Sequence, residues 1–152
     1  MARAEILIAT RDDDVAAVKL LFQEYKTALG EDLCFQGFDE EMATFPSKYP
    51  LLLLGDVEDE AAGAVGLFDL GGGVCEMKRL YVRPDFQGEG LGRALAVRLI
   101  DEARSRGFKE MKLDTLVRLK PAIALYQSLG FRFTSAYYDN PLQNVVYMAK
   151  DL

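Results

Sequence analysis

Three glycines fall within five residues in the segment Gln87-Gly-Glu-Gly-Leu-Gly92, after the strand-like run Glu76–Val82 and at the start of the amphipathic run Leu91–Arg106. With no Cβ at Gly88, Gly90 and Gly92, the backbone can come close to a bulky anion. The first turn of a helix adds N–H groups with no partner inside the helix, and the positive end of its macrodipole. Together these suit a pyrophosphate. The rest of the chemistry is bounded by a gap in the residue inventory: the chain has no histidine. That excludes Ser-His-Asp and Cys-His arrangements and most catalytic zinc sites, so a reaction without metal is expected. Proton transfer must fall to Asp, Glu, Tyr, Lys, Cys or water.

The chain that must position this loop has 152 residues, half of them apolar. One domain, spanning 1–152, with a core that needs no staples is the natural expectation. Apolar runs such as Leu51–Leu54 are far shorter than the ~20 residues that span a bilayer, so no membrane partner is expected. The opening MARAEILIAT lacks the layout of a signal peptide. Two cysteines, Cys34 and Cys75, are too few for a disulfide framework. Cytoplasmic residence is the resulting expectation. A net charge of −6 argues against a nucleic-acid partner, which wants a basic patch.

The pattern along the chain gives the elements. Ala4–Ala9 reads as a short strand. Asp12–Asp14 put negative charge in the first turn of a helix that carries Val15, Val18, Leu21, Phe22, Tyr25 and Leu29 at helical spacing and stops at Gly30. Glu31–Tyr49 is irregular, with one short helix near Asp39–Phe45. Three strands follow, Leu51–Val57, Ala62–Leu70 and Val74–Val82, and Gly71–Gly73 reads as a hairpin turn between the last two. The helix Leu91–Arg106 has Leu91, Leu95, Leu99 and Ala103 on one face and Gly107 as its stop. A strand Glu110–Val117 precedes the helix Pro121–Leu129, which Gly130 caps. Phe131–Tyr138 and Asn144–Ala149 close the chain as strands. The order predicts one mixed sheet with helices on both faces, the α/β class.

This order, with a glycine loop after the fourth strand, resembles the GNAT superfamily of acyl-CoA-dependent N-acyltransferases. Two stretches carry the likeness over about half the chain. Leu80-Tyr-Val-Arg-Pro-Asp-Phe-Gln-Gly-Glu-Gly-Leu-Gly-Arg93 matches the family's strand–loop–helix signature, whose Gln/Arg-x-x-Gly-x-Gly/Ala core is here Gln87, Gly90 and Gly92. Ala122-Ile-Ala-Leu-Tyr-Gln-Ser-Leu-Gly-Phe131 looks like its late helix and following strand. The resemblance implies a six- to seven-stranded, mostly antiparallel sheet split near strands 4 and 5. It also implies acetyl-CoA as co-substrate.

The resemblance assigns roles. Backbone groups of Leu80, Tyr81 and Val82 would face the pantetheine arm like an added strand, and the amides of Gln87, Gly88, Glu89, Gly90, Leu91, Gly92 and Arg93 would hold the pyrophosphate. Tyr126 stands where many members have the general acid that protonates the departing thiolate. A phenol of pKa ~10 and a thiol of ~8.5 make full transfer uphill by only ~2 kcal/mol. An alkylammonium acceptor of pKa ~10.4 costs ~5 kcal/mol to deprotonate at pH 7. Glu76, where some relatives place a catalytic glutamate, is the candidate base, with Asp114 as the other. The alternative for Glu76 is a partner for Lys78 or Arg79 at the strand's edge. Many members carry Asn seven residues before the tyrosine, touching the cofactor. Leu119 stands there in this chain, and Pro121 stiffens the helix start.

The acceptor pocket in such folds is built by segments that correspond here to Gly30–Tyr49 and Tyr137–Tyr147. Glu31, Asp32, Asp39, Glu40 and Glu41 either favour a cationic amine or form a solvated acidic loop. Tyr137 and Tyr138 either line the pocket or pack as a strand pair. The expected reaction is direct transfer of acetyl to a primary amine, a small molecule, with a second copy of the chain as a family-typical partner. Three alternatives stay open: a protein N-terminal acetyltransferase, a lysine acetyltransferase and a non-catalytic acyl-CoA-binding module. A nicotinamide-binding Rossmann reading fails on spacing, because the third required glycine of Gly-x-Gly-x-x-Gly falls on Arg93.

Overall fold

The computed structural model describes residues 4–30, 37–139 and 144–152. Glu31, Asp32 and Cys34 lie outside the described residues. The chain forms β1 (Ala4–Ile8), α1 (Asp12–Leu29), α2 (Phe38–Ala43), β2 (Leu51–Val57), β3 (Glu60–Gly71), β4 (Val74–Val82), α3 (Leu91–Ser105), β5 (Glu110–Leu116), α4 (Lys120–Ser128), β6 (Arg132–Thr134) and β7 (Val145–Asp151). One seven-stranded sheet results, in the order β1-β2-β3-β4-β5-β7-β6. Every neighbouring pair is antiparallel except β4 and β5. The architecture is α/β, a single domain.

The period of two in each strand divides the core between the sheet's faces. On one face Leu51, Leu53, Val65, Leu67, Cys75, Met77, Met111, Leu113 and Met148 pack with Leu95, Leu99 and Ala103 of α3 and with Tyr126 of α4. On the other, Leu52, Leu54 and Ala64 pack with Val18, Leu21 and Phe22 of α1 and with Phe38 and Met42 of α2. No helix of the described residues is long and apolar enough to cross a membrane.

Two irregularities in β4 make the site. The first is a β-bulge: Gly66 faces Lys78 and Ala64 faces Tyr81, so one residue of β3 opposes two of β4. Arg79 takes a φ of 60° there. The extra residue shifts the alternation, so that Leu80 and Val82 join Cys75 and Met77 on the α3 face while Tyr81 packs with the α1 side. The second is an early parting of strands. β4 pairs with β5 only through Val74, Glu76 and the residue between them, opposite Glu110–Lys112. From Met77 onward β4 has no β5 partner, and its outward backbone groups stand open along the gap.

Elements expected from sequence match closely except near the chain's end. The strand expected over Phe131–Tyr138 is only the three residues of β6, so Tyr137 and Tyr138 do not form a strand pair. Their hydroxyls are instead drawn onto two carboxylates of the neighbouring strands, as described below.

Candidate active site

The glycine loop sits where the parted strands lead into α3. Gly88 and Gly90 have φ of 82° and 86°, left-handed values that favour glycine. Gly90 is the N-cap of α3 and supplies no side-chain hydrogen bond. The first turn carries no acidic residue to answer the dipole, and it holds Arg93. A helix start left in this state invites an external anion. Gly92 differs from the other two. A Cβ there would meet only Val82 Cγ2 at 3.7 Å, an ordinary contact, so the chain's own packing does not require its bareness. If the loop holds the diphosphate of acetyl-CoA, as the resemblance implies, Gly92→Leu should raise KM for acetyl-CoA at least ~10-fold with little change in melting temperature. Thermal unfolding beside initial rates checks both halves.

The other residues of the loop divide between holding and presenting. The Gln87 side-chain amide donates to the Val82 carbonyl at 2.9 Å and ties the loop back to β4. The Glu89 side chain is exposed. Leu91 is buried in the core and fixes the helix start. Arg93 donates to Ser128 Oγ at 2.8 Å, which joins the start of α3 to the end of α4.

The gap between β4 and β5 is a channel of about 80 Å³, lined by side chains from both faces of the sheet. Met77, Leu80, Leu113 and Tyr126 line it on the α4 side, and Tyr25, Arg79 and Asp114 on the other. Leu119, the N-cap of α4, also lines it. The Tyr126 ring packs edge-on against Phe131 with centroids 5.9 Å apart. Among the described residues its hydroxyl has no hydrogen-bond partner. Desolvation by burial raises its pKa above the ordinary phenol value, and the Tyr25 and Asp114 charges push the same way. Tyr126 is thus a neutral O–H donor at any working pH.

On the α1 face a second cavity, of about 550 Å³, is lined by Glu76, Lys78, Lys112, Tyr137, Tyr138 and the Leu70 region. Channel and cavity share Lys78. Glu76 is buried, 3.6 Å from the Lys78 ammonium, and accepts a hydrogen bond from the Tyr137 hydroxyl. Tyr138 donates likewise to Asp114. Burial raises the Glu76 pKa; Lys78 and the Tyr137 hydrogen bond pull it down, and the Asp114 charge pushes it up again. Removing the hydroxyl in Tyr137→Phe takes away one group that favours the charged carboxylate, so the Glu76 pKa rises further. If Glu76 is the base, the acid limb of kcat/KM against pH moves to higher pH in that variant. An unmoved limb assigns the base elsewhere.

One expectation is corrected here. Glu41 belongs to no solvated loop: it is 2% exposed and holds Arg79 through both oxygens, at 3.1 Å from Nε and 3.0 Å from Nη2. The Tyr49 hydroxyl completes the group at 2.5 Å from Glu41. Asp39 and Glu40 are exposed on α2. Cys75 lies beside Glu76 in sequence but points into the opposite core, and burial pushes its thiol up to about 12. It is a thiol, and a poor nucleophile, at neutral pH. Sequence reasoning passed over Lys112, Tyr25 and the Glu41–Arg79 pair. The one signal available was the adjacent polar pair Lys78-Arg79, which breaks the alternation of β4.

Comparison with known proteins agrees with this fold. The model of the acetyltransferase (GNAT) family matches residues 15–131. An uncharacterized N-acetyltransferase of Schizosaccharomyces pombe is 43% identical over 145 residues, covering 91% of this chain and 89% of its own. An acetyltransferase of Streptococcus agalactiae has the same fold, with a TM-score of 0.79 at 19% identity and 98% of each chain covered. An acetyltransferase of Salmonella typhimurium, solved with its cofactor acetyl-CoA, superposes with a TM-score of 0.74 at 24% identity, over 98% of this chain and 94% of that one. The chain belongs to the acetyltransferase (GNAT) family, and it is an acyltransferase.

Proposed function

We propose that this chain transfers an acetyl group from acetyl-CoA to the primary amine of a small molecule by direct attack within a ternary complex. The coenzyme's diphosphate rests on the amides of Gln87–Arg93, and its amide-bearing arm runs along the open edge of Leu80, Tyr81 and Val82. The amine approaches from the larger cavity, gives its proton to Glu76 directly or through water, and attacks the thioester carbonyl. The new C–N bond forms as the C–S bond breaks, and Tyr126 donates its hydrogen bond to the sulfur that leaves. Backbone N–H groups of the parted β4 stabilise the oxygen on which charge develops.

The observation that carries this reading is that channel and cavity share the Lys78 wall, with a buried phenol lining the first and a buried carboxylate lining the second. The fit of the coenzyme rests on the undefended start of α3 and on a Gly92 whose lack of a side chain no protein neighbour demands. Direct transfer is supported by the state of Cys75, which is a poor candidate for an acetyl-enzyme. The test is thiol release from acetyl-CoA against amino acids, polyamines, aminoglycosides and peptides. Turnover confined to peptides would replace the small-molecule reading with a protein acetyltransferase. No turnover with any amine would favour an acyl-CoA-binding module.

A further inference from the structure

The larger cavity holds one carboxylate and two ammonium groups, which is not the lining a simple cationic amine would select. Lys78 is already engaged with Glu76, and its Nζ lies 5.3 Å from the Phe68 ring centroid. Lys112 is not so engaged. Its Nζ stands 5.3 Å from the Tyr137 ring centroid, and among the described residues it pairs with no carboxylate. Glu76 and Lys112 are direct register partners on β4 and β5. Register partners on paired strands lie about 4.8 Å apart and point to the same face. An acid and a base therefore stand side by side on one wall, with Leu70, Val74 and the two tyrosine rings providing apolar surface around them.

Resting on the acetyl-transfer reading above, we propose that the acceptor is an amino acid, whose ammonium group meets Glu76 while its carboxylate meets Lys112. The two charges of an amino acid are separated by only two bonds through the α-carbon, which suits adjacent opposite charges on neighbouring strands. A polyamine or alkylamine would leave the Lys112 cation facing another cation, or facing nothing. A cavity of about 550 Å³ leaves room for a side chain, and its apolar surface favours an uncharged one. Lys112 then sets specificity, and its bond to the acceptor carboxylate is charge-assisted.

The test uses matched sets: L-amino acids with apolar side chains, their carboxamides, and the corresponding decarboxylated amines. Binding to the protein saturated with CoA is measured by calorimetry, and thiol release from acetyl-CoA is followed in parallel. The amino acid should bind at least ~10-fold tighter than either matched compound, and kcat/KM should follow the same order, as expected for one charge-assisted contact. Lys112→Met should reduce that preference to below ~3-fold and Lys112→Arg should retain most of it, melting temperatures confirming that both variants fold. Equal or absent binding across each set overturns the inference, as does a preference that survives Lys112→Met. Selective binding without thiol release supports the amino-acid site and overturns acetyl transfer, so the two claims fail separately.

Discussion

Tyr126→Phe is expected to lower turnover by about 10²–10⁴-fold while changing acetyl-CoA affinity little. That loss corresponds to roughly 3–5 kcal/mol of the barrier. The variant keeps the ring that packs on Phe131, so the channel keeps its shape, and only the hydroxyl is lost. Its raised pKa bears on how the hydroxyl acts. Complete transfer of the phenol proton, already uphill by ~2 kcal/mol with ordinary values, becomes harder as burial raises the phenol. A hydrogen bond that tightens as charge builds on sulfur needs no complete transfer, and a desolvated site strengthens it. The loss should therefore fall on kcat, with KM for acetyl-CoA nearly unmoved. Unchanged turnover in Tyr126→Phe would remove this residue from the chemistry.

The largest effect on stability is expected at Glu41. Removing one member of a buried ion pair costs about 3–5 kcal/mol. Glu41→Ala takes both carboxylate oxygens away from the Arg79 guanidinium, only 3% of whose side chain is exposed, at the bulge of β4 and beside the Phe38 ring, 4.8 Å from its centroid. For a domain of this size the melting temperature should fall by roughly 10 °C. Glu40→Ala, one residue away on the exposed side of α2, should stay within about 0.5 kcal/mol of the parent. Differential scanning calorimetry of the two variants decides the matter, and equal melting temperatures would mean that Glu41 does not hold the bulge. The pair ties α2 to β4 across the sheet, so the same variant should also loosen the channel wall that Arg79 lines.

How much of this was legible beforehand depends on how local the physics is. Helix and strand periods, the stops at Gly30, Gly107 and Gly130, and the glycine loop are properties of short segments, and apart from the end of β6 their boundaries fell within a residue or two. The split of the sheet followed from the resemblance, and the structure gives it a cause in three residues of β4–β5 pairing followed by divergence. The bulge at Arg79 was harder to see, because two polar residues in succession also fit a frayed strand end. Glu41 was misjudged for a similar reason. Among its acidic neighbours it looks like one more solvated charge, and only the fold brings Arg79, 38 residues away, against it. Tyr137 and Tyr138 have strand-forming side chains, yet β6 ends at Thr134 and their hydroxyls reach Glu76 and Asp114 instead. Lys112 sits between buried Met111 and Leu113, so its face could be inferred, but its neighbours across the cavity could not.

The coenzyme's position is the point on which the chemistry turns. A crystal structure of the protein with CoA tests it most directly. The expected result has the diphosphate on the amides of Gln87–Arg93, the pantetheine arm beside Leu80–Val82 and the sulfur within hydrogen-bond reach of the Tyr126 hydroxyl. CoA bound away from the start of α3, or with its sulfur turned out of the channel, would contradict the account.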